Sequence, residues 1–382
     1  MSIRENLTRT IIVRNRRIGA GEPIFLTAEI GAAHAGKLEN AMRMIEAAAK
    51  AGCDGADIFM ADPNDFYWYG DIVLNRDIRD IYRELAYTDS EWKTLFDYAR
   101  EKNLILYPTP LDCKSVERCH NLGVEMININ SDDSNNPFLL KEAAQLGVPV
   151  TMHDINASIA EVSLGIQTLQ ANGCRDIILL HSTNESGDLE MLYHSANLEL
   201  IQTYRQHFSG SGVLVGCVEH TTSDFLIYAV AALKPVLISK HIQLCAKDNP
   251  GDDKISVDTA NLSRMVHNVR SVEGAMGNGF NQMVCQADGK VPEENVARRK
   301  VLVARRDIPA GKRIVLDDLT AKRPGNRGGA HPMQYLALVG AVARQDIPAD
   351  TPLEFRMFDE LATPPYKWPP IDVFQCKTTS CP

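Results

Sequence analysis

The stretch VLISKHIQL, Val236 to Leu244, is an apolar run of strand length with Ser239, Lys240 and His241 set into its middle. A strand buried on both faces is normally a near-continuous aliphatic run, so a cation and an imidazole here need a reason. Seven similar runs precede it: IFLTAEIG (Ile24 to Gly31), GADIF (Gly55 to Phe59), LILYPTP (Leu104 to Pro110), EMININ (Glu125 to Asn130), VPVTMHD (Val148 to Asp154), DIILLHST (Asp176 to Thr183) and GVLVGCVEH (Gly212 to His220). A helix-period segment separates each from the next. After the first run, for example, Leu38, Met42, Ile45 and Ala49 fall on one helical face. Gly123, Gly147 and Gly173 stand where helix C-caps belong. Eight strand–helix units predict an α/β fold closed as a TIM (β/α)8 barrel rather than an open sheet.

In that fold the polar residues fall into place. Glu29, Asp57, Thr109, Asn130, His153, Asp154, His181, His220 and His241 all lie near the C-terminal ends of their strands, the face on which barrel enzymes build active sites. A single histidine at a strand end can be a satisfied structural residue, but a set drawn from all eight strands predicts a site.

Composition narrows what the site takes. The chain has 382 residues, 45% of them hydrophobic, with Lys+Arg 40 against Asp+Glu 49 and a net charge of -9. This balance argues against a nucleic-acid or anionic-membrane partner and for a small-molecule substrate. The N-terminus MSIRENLTRTIIVRNRR is charged throughout, without the apolar core of a signal peptide, and no later run reaches membrane-span length, so a cytoplasmic protein is expected. The nine cysteines show no CxxC spacing, which indicates neither a disulfide framework nor a zinc knuckle. Cys376 and Cys381 could pair if oxidised; reduced thiols are the plainer reading.

A hairpin is expected before the barrel, and the barrel pattern occupies residues 1–282. A linker follows at 283–297, containing QADGKVPEEN (Gln286 to Asn295). Beyond it, VARRDIPAG (Val303 to Gly311) repeats as VARQDIPAD (Val342 to Asp350). Short β segments with Pro/Gly turns around a repeated unit predict a small pseudo-symmetric β module over 298–361, with an extended, Pro-rich tail at 362–382. FYWYG (Phe66 to Gly70), in a long excursion after the second strand, either stacks on a substrate ring or packs the excursion down.

Read together, AEIG...H.G (Ala28 to Gly36), TP.D (Thr109 to Asp112), LLH (Leu179 to His181), NL (Asn197-Leu198), EHT (Glu219 to Thr221), KH (Lys240-His241) and PG.D (Pro250 to Asp253) resemble the sialic acid synthase family. ARRKVLVARRDIPAGKRI...DDLTAKRPGN...GG resembles the antifreeze-like (SAF) domain that these synthases carry. The resemblance runs from about Ile24 to Phe358. It implies condensation of phosphoenolpyruvate with an aldehyde sugar, typically of the N-acetylmannosamine type, to a nine-carbon keto acid. It also implies a divalent ion, manganese or magnesium with zinc as an alternative, that polarises the aldehyde.

By that resemblance His220 and His241 are the metal histidines; the alternative is two imidazoles packed on backbone carbonyls. Glu29 is the carboxylate that binds or activates water, and Lys240 and Asp253 line the same pocket. Thr109, Ser131 and His181 are further substrate-binding candidates. Arg323 is the arginine that one subunit of a homodimer extends over its partner's barrel.

The chain also departs from the pattern. Where the family has phosphoenolpyruvate-binding lysines on strands two and four, Asp57 and Asn128 stand here. Ala33 and Ala35 flank His34 in place of asparagines, and Ser239 replaces a glutamate. His153-Asp154-Ile155 replaces Ser-Thr-Gly. His153 and Asp154 are therefore candidates for proton transfer or added metal ligation, or else a hydrogen-bonded pair closing a strand end. The metal chemistry is expected to persist with a rebuilt donor subsite. An aldolase or lyase acting on an unphosphorylated donor, or a binding relic, are the alternatives.

Overall fold

The computed structural model describes residues 9–67, 70, 72–73, 75–155, 157–184, 188–223, 225–248, 252–277, 298–323 and 328–363. The chain divides into two units, Met1–Asn278 and Gly279–Pro382. The segment expected to be a linker, and the tail from 364 onward, fall outside the described residues.

In the first unit the strands Phe25–Gly31, Gly55–Met60, Ile105–Pro110, Ile127–Ile129, Val150–His153, Ile177–Ser182, Leu214–Glu219 and Leu237–Gln243 form a parallel, nearly closed barrel with helices between successive strands. The eighth strand returns to the first, Leu237 opposite Phe25 and His241 opposite Glu29. The ladder then runs unbroken from the third strand round to the fourth. Between the third and fourth strands no backbone ladder is found among the described residues. Side chains cross that seam instead.

Side-chain alternation with a period of two sorts every strand into two faces. Leu26, Ala28, Ile30, Ala56, Ile58, Leu179, Cys217 and Ile238 face outward into the helix layer. Phe25, Ile105, Tyr107, Met126, Ile178, Leu180, Leu214, Val218 and Leu237 face inward, where they share a core with Ile11, Val13 and Ile18. Those three come from the expected hairpin, Thr10–Val13 paired with Arg16–Gly19. Arg14 beside its turn donates to the Leu104 carbonyl and to Glu125, so the hairpin plugs the N-terminal end of the barrel and leaves the polar chemistry to the other end.

The first barrel helix, Leu38–Ala51, buries Ala41, Met44, Ile45 and Ala48 and ends at Gly52 in the left-handed conformation (φ 88). Of the stripe expected from sequence, Ile45 lies within that face, and Leu38, Met42 and Ala49 form its partly buried edge. Alanines, weak in any hydrophobic count, let the helix approach the sheet closely. In the excursion after the second strand, Phe66 and Tyr67 pack against Tyr82, with Tyr67–Tyr82 centroids 4.7 Å apart. These two aromatics pack the excursion down; Trp68 and Tyr69 lie outside the described residues. At Gly36 (φ +70) a Cβ would fall 1.9 Å from the Glu84 carbonyl, so the excursion rests on a position only glycine can fill.

The second unit has the expected two-fold pattern. Val301–Ala304 pairs with Leu319–Lys322, and Val342–Ala343 with Phe358–Asp359. Ile308 and Ile347 exchange reciprocal backbone bonds of 2.8 Å. Asp346 accepts from the Ala310 amide and Asp307 from the Ala349 amide, both at 2.7 Å. Among the described residues no helix is long and apolar enough to cross a membrane.

Candidate active site

Strand register decides which of the candidate residues meet. His241 lies opposite Glu29, and Glu29 opposite Asp57. All three side chains point inward, because they alternate with the outward-facing Ala28, Ile58 and Ile242. The His241 Nε2 stands 3.3 Å from Glu29 Oε1, and Ser239 Oγ donates to Glu29 Oε2 at 3.0 Å. His220 follows the seventh strand, its ring centroid 5.2 Å from that of His241. Its Nδ1 lies 2.6 Å from the Thr183 carbonyl, and its backbone amide donates to Thr183 Oγ1 at 2.8 Å. A carbonyl only accepts, so Nδ1 carries the proton and Nε2 keeps its lone pair. Burial first, and then neighbouring His241, hold the His220 pKa well below the usual imidazole value, so the ring is neutral.

A metal-binding imidazole needs this arrangement: neutral, one nitrogen anchored on a carbonyl and the other free. Two imidazoles beside the Glu29 carboxylate are a donor set suited to a divalent ion of the manganese–zinc class. Among the described residues no three His, Cys, Asp or Glu side chains are already gathered as a metal cluster. His153 also faces inward, buried, and burial lowers its pKa against the raising effects of Glu29 and Asp154.

Asp57 and Asn128, at the positions of the two expected lysines, belong to a directional network. Thr151 Oγ1 donates to Asn128 Oδ1 (2.6 Å), Asn128 Nδ2 to Thr109 Oγ1 (2.9 Å) and to Asp57 Oδ2 (3.1 Å), and Thr109 Oγ1 to Asp57 Oδ1 (2.7 Å). The four side chains come from strands two to five and cross the open seam. All four residues are at most 1% exposed. Burial and the nearby Glu29 charge push the Asp57 pKa well above the usual carboxylate value, while the Thr109, Ile58 and Asn128 bonds oppose the rise. The hydroxyl and amide donors of Thr109, Asn128 and Thr151 are spent within this network.

Three expectations from sequence are corrected by strand parity. Lys240 does not line the pocket. It sits between the outward-facing Ile238 and Ile242, opposite Glu219 in register. Its ammonium bonds Glu219 Oε2 at 2.6 Å and the carbonyls of Glu219, Thr221 and Ile255. Burial draws its pKa down, with the Glu219 charge opposing. Asp154 does not act beside His153, because it pairs with His181: His181 Nδ1 lies 3.0 Å from Asp154 Oδ2, and Ser182 N donates to Oδ1 at 2.7 Å. His181 in turn is not free for substrate, since its Nε2 lies 2.9 Å from the Ala196 carbonyl. Both His181 nitrogens face acceptors, and although burial lowers the His181 pKa, the Asp154 bond and charge and the Ala196 carbonyl raise it overall.

Ser131 begins a 3-10 turn after the fourth strand, its hydroxyl 3.5 Å from Asn130 Oδ1. Asp253 lines an open cleft with Asp188, Leu192, Thr222 and Lys254. Arg323 is exposed on the second unit. Sequence reasoning missed Thr183, Thr151 and the role of Glu219. The signal available was register: Glu219 and Lys240 each directly precede a histidine, so a pair on one face implies the histidines on the other.

Comparison with known proteins agrees with this architecture. Residues 44–281 match the NeuB family and residues 299–359 the SAF domain. An N,N'-diacetyllegionaminic acid synthase from Campylobacter jejuni is 27% identical over 85% of this chain and 97% of that protein. An N-acetylneuraminate-9-phosphate synthase from Mus musculus is 28% identical over 85% of this chain and 90% of that one. Among solved structures, a putative spore coat polysaccharide biosynthesis protein E from Chromobacterium violaceum superposes with TM-score 0.69 at 20% identity, over 88% of this chain and all 100% of that one. A parallel barrel with paired inward histidines, followed by a two-fold β module, is thus explained by descent: this chain belongs to the NeuB family and carries a C-terminal SAF domain.

Proposed function

We propose that this chain is a metal-dependent, carbon–carbon bond-forming synthase of sugar-acid biosynthesis, working in the cytoplasm as a homodimer on an aldehyde sugar. The observation that carries the reading is the convergence of Glu29, His220 and His241 inside a NeuB-family barrel, with each imidazole held by its neighbours. His220 and His241 would hold a Mn2+, Mg2+ or Zn2+ ion, which supplies Lewis-acid polarisation of the acceptor carbonyl. Thr183 fixes the His220 tautomer, and Ser239 orients Glu29. Glu29 is then placed as a base, to take a proton from water in the family's reaction or from the carbon beside the keto carbonyl of an unphosphorylated donor, the proton passing to the new alkoxide oxygen. Arg323 is proposed to hold the acceptor's substituent from the partner subunit.

The donor is bound differently from the family's phosphoenolpyruvate. That molecule brings a phosphate and a carboxylate, and the network on Asp57 offers neither a cation nor a spare donor. A unit charge pair at about 4 Å in an effective dielectric near 20 is worth roughly 4 kcal/mol, so losing two such attractions is decisive. This favours an unphosphorylated keto-acid donor and an aldolase-type reaction.

The test is a titration with divalent ions together with mass-spectrometric detection of condensation products from amino-sugar aldehydes with either pyruvate or phosphoenolpyruvate. His220→Ala and His241→Ala are expected to abolish ion binding and turnover while leaving the circular dichroism spectrum unchanged. Wild-type protein that binds no ion at saturating manganese, magnesium or zinc would sink the reading.

A further inference from the structure

Two buried titratable groups take no part in the proposed chemistry. Asp154 and His181, 5% and 4% exposed, continue the outward faces of their strands after Met152 and Leu179. His181 Nδ1 is 3.0 Å from Asp154 Oδ2, and Nε2 is 2.9 Å from the Ala196 carbonyl. A carbonyl only accepts, and the Asp154 carboxylate also takes the Ser182 amide on Oδ1 and a bond from the Tyr204 hydroxyl. Both imidazole nitrogens therefore carry protons. The pKa agrees in direction: burial lowers it, but the bond and charge of Asp154 and the Ala196 carbonyl raise it overall above the usual imidazole value. Burial pushes up the pKa of Tyr204 and of Cys217, which lies opposite His181 in register, and draws that of His153 down. Glu219 and Lys240, further along the same outward face, are bound to each other. The charge that changes in this cluster is that of His181.

Ala196 ends the helix Leu189–Ser195, whose Leu189 and Leu192 form one wall of the open cleft shared with Thr222, Asp253 and Lys254. At its start Asp188 caps this helix, accepting from the Met191 amide at 2.9 Å. Among the described residues no backbone amide donates to the Ala196 carbonyl, so the hydrogen bond that ties down this end is the one from His181. A single proton decides that bond. A neutral imidazole has one N–H, which the charged carboxylate keeps as the stronger acceptor. The Nε2 lone pair then faces the Ala196 oxygen, and the two repel. The geometry points to Asp154 and His181 as positioning residues, a proton-operated clamp that fixes the Leu189 and Leu192 wall of the cleft while His181 is charged and releases it when the ring is neutral. Its contribution is full below the usual imidazole value and is lost as pH rises through the raised one. Asp154 replaces a threonine of the family pattern, and threonine brings no charge to hold the second proton. The consequence for a substrate in the cleft rests on the synthase reading above; the clamp itself does not.

The test follows the His181 imidazole 15N resonances and the hydrogen exchange of the Leu192–Ala196 amides in full-length protein between about pH 6 and about pH 9, with exchange corrected for its intrinsic pH dependence. Wild type is expected to pass from imidazolium to neutral ring, and its exchange to quicken roughly tenfold in step, the factor for one buried hydrogen bond lost. Asp154→Asn separates the clamp from plain packing. Its amide keeps the Ser182 bond on Oδ1 and donates through Nδ2 to His181 Nδ1, so a neutral ring presents Nε2–H to Ala196 at every pH and the exchange should lose its pH dependence. A wild-type ring whose charge does not change over that range, or the same pH-dependent exchange in Asp154→Asn as in wild type, overturns the clamp. Exchange that responds as expected in a protein without condensing activity would count against the synthase reading alone, and condensing activity with pH-independent exchange against the clamp alone.

Discussion

Lys240 and His241 are neighbours in the chain and belong to opposite faces of the sheet. The histidine enters the barrel. The lysine turns into the helix layer, where its contacts with Glu219 and with the carbonyls of Thr221 and Ile255 tie down the loops flanking both histidines. Removing one member of a fully buried pair strands the other charge. Lys240→Met is therefore expected to cost about 3–5 kcal/mol in chemical denaturation, and Lys240→Met with Glu219→Leu to recover most of it; a single variant as stable as wild type would contradict the placement. His34 makes a pH prediction. Burial depresses its pKa from 6.5 to about 4, so between those values the unfolded chain binds a proton that the folded chain does not. The stability present above pH 6.5 falls as pH drops through that window, by up to about 3 kcal/mol. The stability difference between wild type and His34→Gln should change across pH 6.5 to 4 and be flat on either side; a pH-independent difference would exclude a neutral buried His34.

At the scale of elements, the seam between the third and fourth strands is where this barrel differs in kind from a continuous ladder. Thr109, Asn128 and Thr151 bridge it, and Asp57 anchors the bridge on the second strand. The positions expected to bind an anionic donor thus hold the barrel shut. Asn128→Leu leaves the Thr151 hydroxyl and Asp57 Oδ2 short of a partner and should destabilise the barrel by about 1–3 kcal/mol for each buried group unsatisfied. Hydrogen exchange should accelerate first at Ile105–Pro110 and Ile127–Ile129. Asp57→Lys combined with Asn128→Lys, which by charge alone would invite phosphoenolpyruvate, is expected to lose stability through the same seam. A double variant that melts like wild type would show that the network closes nothing.

For the whole molecule, strand order, the N-terminal hairpin and the two-fold module were all legible, because period-two runs, glycine caps and a nine-residue repeat are local signals. Glu29, His220 and His241 were legible by resemblance, and register brings them together. What was not legible was facing. Lys240, Asp154 and His181 read as site residues because they sit at strand ends, yet one residue of parity turns each away from the barrel interior. Thr183 and Thr151 were invisible because a threonine in a strand looks like β propensity until its partner is known. The central claim joins both levels: an interior whose paired histidines are proposed to hold an ion while its donor end is closed by its own hydrogen bonds. Calorimetric titration of phosphoenolpyruvate into the manganese-saturated wild-type protein tests it most directly. The account predicts no micromolar binding; micromolar affinity, with the phosphate seated beside Asp57 in a crystal of the complex, would contradict it.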